Sequence, residues 1–187
     1  LAIKHALTVS LPKSYHFLIN DLPVKCEDYD SIRRTDYYDV IYDMWCPANV
    51  SEAITGFDPK ISRVEAFAQA ANVEARTPTM AKPTATFLDK TEKFIGIVPK
   101  SKNKSKNIPP ETLAIVAEQL LNQELNVISI DHDTVIPGTT GFTGKTMAQA
   151  HNLIGGLDCL VTPDTGCMWS ALAMGVPVVA LFGATNG

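Results

Sequence analysis

Long apolar runs are missing from this 187-residue sequence: the longest, Gly175 to Gly183, falls far short of the roughly 20 residues needed to cross a bilayer, so no transmembrane helix is expected. Charge is also sparse. With 19% charged residues against 45% hydrophobic and a formal net charge of -4, the chain has a globular composition and no overall attraction to nucleic acid. Any anion site must therefore be local. Cysteine is scarce, and Cys26, Cys46, Cys159 and Cys167 lack the CxxC spacing of a metal site. Cys159 and Cys167 fall in segments that read as buried, so the thiols are expected to be reduced, as in a cytoplasmic protein. No signal peptide is visible, and the Asn49 and Asn103 sequons are read as chance matches. His132 lies between Asp131 and Asp133, but no second His or Cys stands at ligand spacing; His5, His16 and His151 are scattered, and no metal is expected. Neither a GxSxG elbow nor an HExxH motif occurs, which leaves hydrolase readings without a positive signal. No repeat of 20 to 50 residues is visible, which sets aside solenoids and propellers.

What is present has a direction. The chain opens at Leu1 and closes at Gly187 straight after a strand-like run, so it reads as cut at both ends. Residues 1–80 read as irregular α/β, with a strand over Tyr37 to Asp43 and a helix over Ile61 to Ala71, where Ile61, Val64, Phe67, Ala68 and Ala71 recur at helical spacing. Thr77 to Thr84, with two prolines and no periodicity, reads as a linker. Residues 81–187 then alternate: strand Lys93 to Val98, helix Pro110 to Leu121, strand Asn126 to Ile130, helix Lys145 to Ile154, strand Leu157 to Val161, helix Gly166 to Met174 and strand Pro177 to Phe182. Four continuously apolar strands alternating with three helices predict a parallel sheet covered on both faces. Such sheets bind ligands at the carboxyl ends of their strands.

Three loops at those ends carry chemistry. Thr162-Pro163-Asp164-Thr165-Gly166 precedes a helix of small residues, where unpaired backbone N–H groups and the helix dipole can seat a phosphate and Gly166 lets a ligand come close. The plainer reading is that Asp164 or Thr165 caps the helix. Pro99 to Lys106 carries Lys100, Lys102, Lys104 and Lys106; lysines on a loop are usually solvated surface, yet this loop opens on the same sheet edge and could meet an anion there. The third, Gly138 to Thr146, resembles a phosphate-binding P-loop, but Gly138 stands one residue too early before Gly144-Lys145-Thr146 for successive amides to wrap a phosphate.

The segment DCLVTPDTGCMWSALAMGVPVVALFGATN resembles the signature of glycosyltransferase family 9, the heptosyltransferase-like enzymes, in which an Asp-Ser/Thr-Gly turn opens a small-residue helix followed by a G-x-P-V-V-A-L-F-G strand. FTGKTMAQAHNLI is similar to the family's Gly-Lys-Thr-Ser-Leu helix start, and VPKSKNKSKNIPPE to its strand, loop and Lys-x-Trp-Pro-x-Glu pattern, with Lys106 at the functional lysine. The resemblance implies an α/β fold of GT-B type: a Rossmann-like, nucleotide-sugar-binding domain at 81–187, preceded by a partial acceptor-side domain at 1–80. It implies an inverting transferase moving a heptose-like sugar from a nucleotide-diphosphate sugar, ADP-sugar favoured, to a glycan or lipopolysaccharide acceptor, without an obligatory metal or other cofactor. Asp164, Thr165 and Gly166 would hold the sugar and diphosphate region of the donor, joined by Trp169, Lys145 and Thr146. Lys106 would stabilise the phosphate charge as the sugar leaves. Trp169 stands where the family usually has histidine, and Cys167 where it often has proline. An indole can stack on a base or sugar but cannot shuttle protons, and it could equally fill the core. The family's glycine-rich first strand, which supplies the acceptor-side base, has no counterpart, so no base is named and this chain alone is expected to be inactive. Cytoplasmic location and, for the full-length protein, peripheral membrane association fit this reading. The alternatives are a sugar-nucleotide epimerase of related architecture and a non-catalytic nucleotide-sugar-binding or scaffold protein of the same fold.

Overall fold

The computed structural model describes residues 8–11, 25–28, 62–70, 72–77, 79–83 and 87–183. The chain divides into two compact units that meet in sequence between Pro78 and Thr79. In the first, strands β1 (Thr8–Leu11) and β2 (Lys25–Asp28) pair in parallel. Helix α1 (Arg63–Ala70) begins with a reciprocal cap: Ser62 N–H donates to Glu65 Oε2 at 2.6 Å and Glu65 N–H to Ser62 Oγ at 3.2 Å. The strand expected over Tyr37 to Asp43 and the sequon at Asn49 lie outside the described residues.

The second unit is the alternating part. Its elements are β3 (Phe94–Ile97), a 3-10 turn (Lys104–Lys106), α2 (Pro110–Leu121), β4 (Asn126–Ile130), β5 (Thr140–Phe142), α3 (Met147–Gly156), β6 (Cys159–Pro163), α4 (Gly166–Ala173) and β7 (Val178–Leu181). All five strands are parallel, in the order β5-β4-β3-β6-β7. This is the α/β class, with a Rossmann-like parallel sheet, that the sequence implies.

Alternation along the strands explains the layering. Ile97, Val127 and Val161 pack with Leu113 and Ala117 of α2, while Val98, Ile128, Ile130 and Leu160 pack with Leu153 and Ile154 of α3, with Ala171 of α4 and with Met174 just after it. Successive strand residues point to opposite faces, so each face needs its own helical cover. Each fully buried Leu or Ile contributes about 1.5–3 kcal/mol of transfer free energy. Pro110 at the start of α2 suits a position whose N–H would have no helical partner.

One expectation is corrected. The sheet has five strands rather than four, because β5 lies inside the segment read as a near-miss P-loop. A Cβ on Gly141 would come within 2.7 Å of the Val135 side chain, so a larger residue in this short edge strand would require that side chain to shift. The segment read as a linker holds the boundary between the two units, between Pro78 and Thr79, and its residues 79–83 lie on the second unit: Met80 N–H donates to Ala173 C=O at 2.8 Å, and the Pro83 ring occupies the space a Cβ on Gly155 would need. Element ends also shift, with α3 beginning at Met147 rather than Lys145 and β6 running over Cys159–Pro163.

Candidate functional site at the carboxyl edge of the sheet

The chain grows from β3 outward through β4 to β5, then returns to the other side of β3 with β6 and β7. The strand order therefore reverses between β3 and β6, the position at which open parallel sheets commonly bind ligands. The lysine loop follows β3 and the Asp-Thr-Gly turn follows β6.

The lysine loop is pinned. Ile108 N–H closes back onto Pro99 C=O at 3.3 Å, Ser101 N–H donates to Asn107 Oδ1 at 2.8 Å, and Asn103 Oδ1 accepts from Ser105 N–H at 3.1 Å, capping the turn that carries Lys106. Lys102 and Lys104 are exposed, as solvated lysines should be. Lys106 differs. Its Nζ donates to Asp164 Oδ2 at 2.6 Å, and both side chains are only 21% exposed. The lysine and the Asp-Thr-Gly turn thus share one edge of one sheet and touch.

The cap expected on the next helix is absent. Thr165 occupies the N-cap position of α4 with extended backbone, but no side chain accepts a hydrogen bond from the helix. Its Oγ1 lies 3.1 Å from Thr162 Oγ1, and Asp164 is turned toward Lys106. The first-turn N–H groups, which have no partner within a helix, keep their capacity for an anion. Gly166 is exposed, with nothing within 4 Å of where a Cβ would stand.

One turn further on, Trp169 is 49% exposed, so it does not fill the core. Cys167 sits in the first turn as a free thiol; burial pushes its pKa up, and the Asp131 carboxylate adds to the effect, so it stays protonated. Lys145 and Thr146 lie on the same edge beyond β5, three strand spacings or roughly 14 Å from β6. Lys145 Nζ stands 5.8 Å from the centre of the Phe142 ring. Thr146 caps α3 in a reciprocal box with Gln149.

The sequence reading missed a second charged cluster. Lys100 Nζ donates to Asp133 Oδ1 at 2.9 Å and to Thr134 Oγ1, and lies 3.5 Å from Asp131 Oδ2. Hydrogen bonds from Lys100 and then Thr134 hold Asp133 down to about 2, and the Asp133 bond raises Lys100. The signal lay in Asp-x-Asp directly after β4 beside a lysine just beyond β3, since neighbouring parallel strands bring such ends together. Among the described residues no group of three or more His, Cys, Asp or Glu side chains could hold a metal ion.

A model of glycosyltransferase family 9 (heptosyltransferase) matches residues 63–187. No curated protein matches. The fold is similar to that of the iron-containing dodecameric glycosyltransferase TibC from enterotoxigenic E. coli H10407, at 17% identity and a TM-score of 0.72 over 93% of this chain and 49% of that one. It is also similar to E. coli ADP-heptose lps heptosyltransferase II (22%, TM-score 0.55, 75% and 49% covered) and to a family 9 glycosyl transferase from Veillonella parvula DSM 2008 (18%, 0.56, 68% and 45%). The chain spans about half the length of these structures.

Proposed function

Because the chain belongs to glycosyltransferase family 9, we propose that the sheet edge between β3 and β6 seats the diphosphate of a nucleotide-sugar donor, in an inverting transferase of a heptose-like sugar. The observation that carries this reading is the uncapped start of α4 facing Lys106 across the reversal of strand order. Backbone N–H groups and a lysine fixed on two adjacent loops are suited to charge that grows on a leaving diphosphate. Gly166 would let the phosphate approach the backbone, and Trp169, exposed on the same helix, would stack on the sugar or base. Lys145 and Thr146 would meet only a part of the donor remote from the diphosphate. An ADP-sugar is favoured because TibC is known in complex with ADP-D-beta-D-heptose. The acceptor would be a glycan or lipopolysaccharide, and the setting cytoplasmic with peripheral membrane association of the full-length protein; no described helix is long and apolar enough to cross a membrane. No metal or nucleic acid enters the reading.

Calorimetry with ADP, UDP, GDP and the matching nucleosides tests it. The diphosphates should bind at least tenfold more tightly than the nucleosides, about 1.4 kcal/mol. Lys106→Ala should cost about tenfold and Lys102→Ala less than twofold, because a surface charge contributes about 0–1 kcal/mol. Equal binding of ADP and adenosine would overturn the phosphate seat. One observation favours a second reading, a non-catalytic donor-binding protein: Trp169 offers no proton-transfer group beside the seat.

A further inference from the structure

The Lys106–Asp164 pair raises a question that the diphosphate seat alone does not answer. A carboxylate that already holds the lysine at 2.6 Å stands where phosphate oxygens would have to come. The Lys106 backbone is fixed by the Ile108, Asn107 and Asn103 hydrogen bonds of its loop, so the lysine cannot turn away as a whole. Asp164 is fixed on the other side by β6 and the start of α4. The free movement left to the pair is rotation of the two side chains.

We infer that Asp164 is an internal substitute for the donor's phosphate, which a nucleoside diphosphate must displace from Lys106 in order to bind. The inference rests on the reading of this edge as a diphosphate seat. Two like charges within reach of one ammonium group repel each other, and partial burial of both side chains reduces the solvent screening that would otherwise hide the effect. Asp164 then lowers affinity for a bare nucleotide rather than adding to it. Its carboxylate also keeps Lys106 paired and only 21% exposed, where a loop lysine would otherwise be solvated. The second cluster supplies a control: Asp133 ends the neighbouring loop on the same edge and carries the same charge, but it holds Lys100, not Lys106.

The test is calorimetric titration of ADP, and separately of inorganic pyrophosphate, into the chain and its variants. Asp164→Asn should bind ADP three- to tenfold more tightly than the unaltered chain. Asp133→Asn, which removes an equal charge without freeing Lys106, should change binding by less than twofold. In a Lys106→Met background the further Asp164→Asn change should also do less than twofold, because no lysine remains to be released. If Asp164→Asn leaves ADP affinity unchanged or weakens it while the unaltered chain binds ADP, the exchange is wrong and the phosphate seat survives. Tightening that persists undiminished with Lys106→Met would reduce the effect to general charge and overturn the exchange. Absence of ADP and pyrophosphate binding from the unaltered chain and from Asp164→Asn alike would remove the seat itself, and the exchange with it.

Discussion

At position 166 the fold itself does not require the absence of a side chain. The space around a Cβ there is open, and the backbone does not need the left-handed conformation that favours glycine. Gly166→Ala should therefore fold with an unchanged melting temperature, yet weaken ADP binding about tenfold. A methyl group would hold the phosphate away from charge-assisted hydrogen bonds that contribute about 1.5–3 kcal/mol each. Matched thermal melts and titrations check it, and equal loss of stability and binding would mean that the glycine serves packing. The same turn shows how residue types mislead. Asp164 and Thr165 are strong capping residues, and nothing in their local order indicates that one is drawn to a lysine 58 positions earlier and the other to Thr162. Long-range charge took precedence over local propensity. Trp169 is comparable: its apolar ring suggests burial, while its place on the outer side of a helix start leaves it half open.

Elements were legible where a hydrophobic period ran long. α2 and β4 coincide with the expected Pro110 to Leu121 and Asn126 to Ile130 because their apolar residues are continuous or helically spaced and their ends carry Pro or Asn. β5 was not legible: three residues, one of them glycine, lack a period, and only the neighbouring β4 makes them a strand. The start of α3 was displaced from Lys145 because Thr146 and Gln149 cap each other there. Thr146→Ala should lower unfolding free energy by about 1 kcal/mol, measured by urea titration, and Thr146→Asp should retain most of it. In the same helix His151 is 9% exposed, and burial lowers its pKa. An imidazole whose folded pKa is depressed costs nothing while both states are neutral. Stability should thus fall as pH drops below the ordinary histidine value of about 6.5, where only the unfolded chain readily takes the proton. Urea midpoints between pH 7.5 and 5.5 should decline for the unaltered chain and flatten for His151→Leu; an unchanged slope would assign the decline to other groups.

For the whole molecule, the parallel sheet and the shared edge followed from polarity rules applied to the sequence, whereas the strand order and the docking of residues 79–83 along the second unit did not, because no local pattern marks which strands will neighbour or which irregular segments will pack. We expect no glycosyl transfer from this chain alone: it spans about half the length of the structures it resembles, and correct placement of both reactants can be worth roughly 7–11 kcal/mol. Turnover of ADP-heptose above a Lys106→Ala control would refute this. The middle of the sheet has a bearing on folding as well. β3 and β6 lie side by side although Phe94 and Asp158, hydrogen-bonded at 3.0 Å, are 64 residues apart. Closing that loop precedes any reward from the contacts it brings, and its entropic cost slows folding. The two loops proposed to seat the nucleotide follow the strand pair of greatest sequence separation in this sheet. A bound diphosphate would consequently report complete folding of the second unit and, by mass action, stabilise only the state in which its longest-range strand pair has formed.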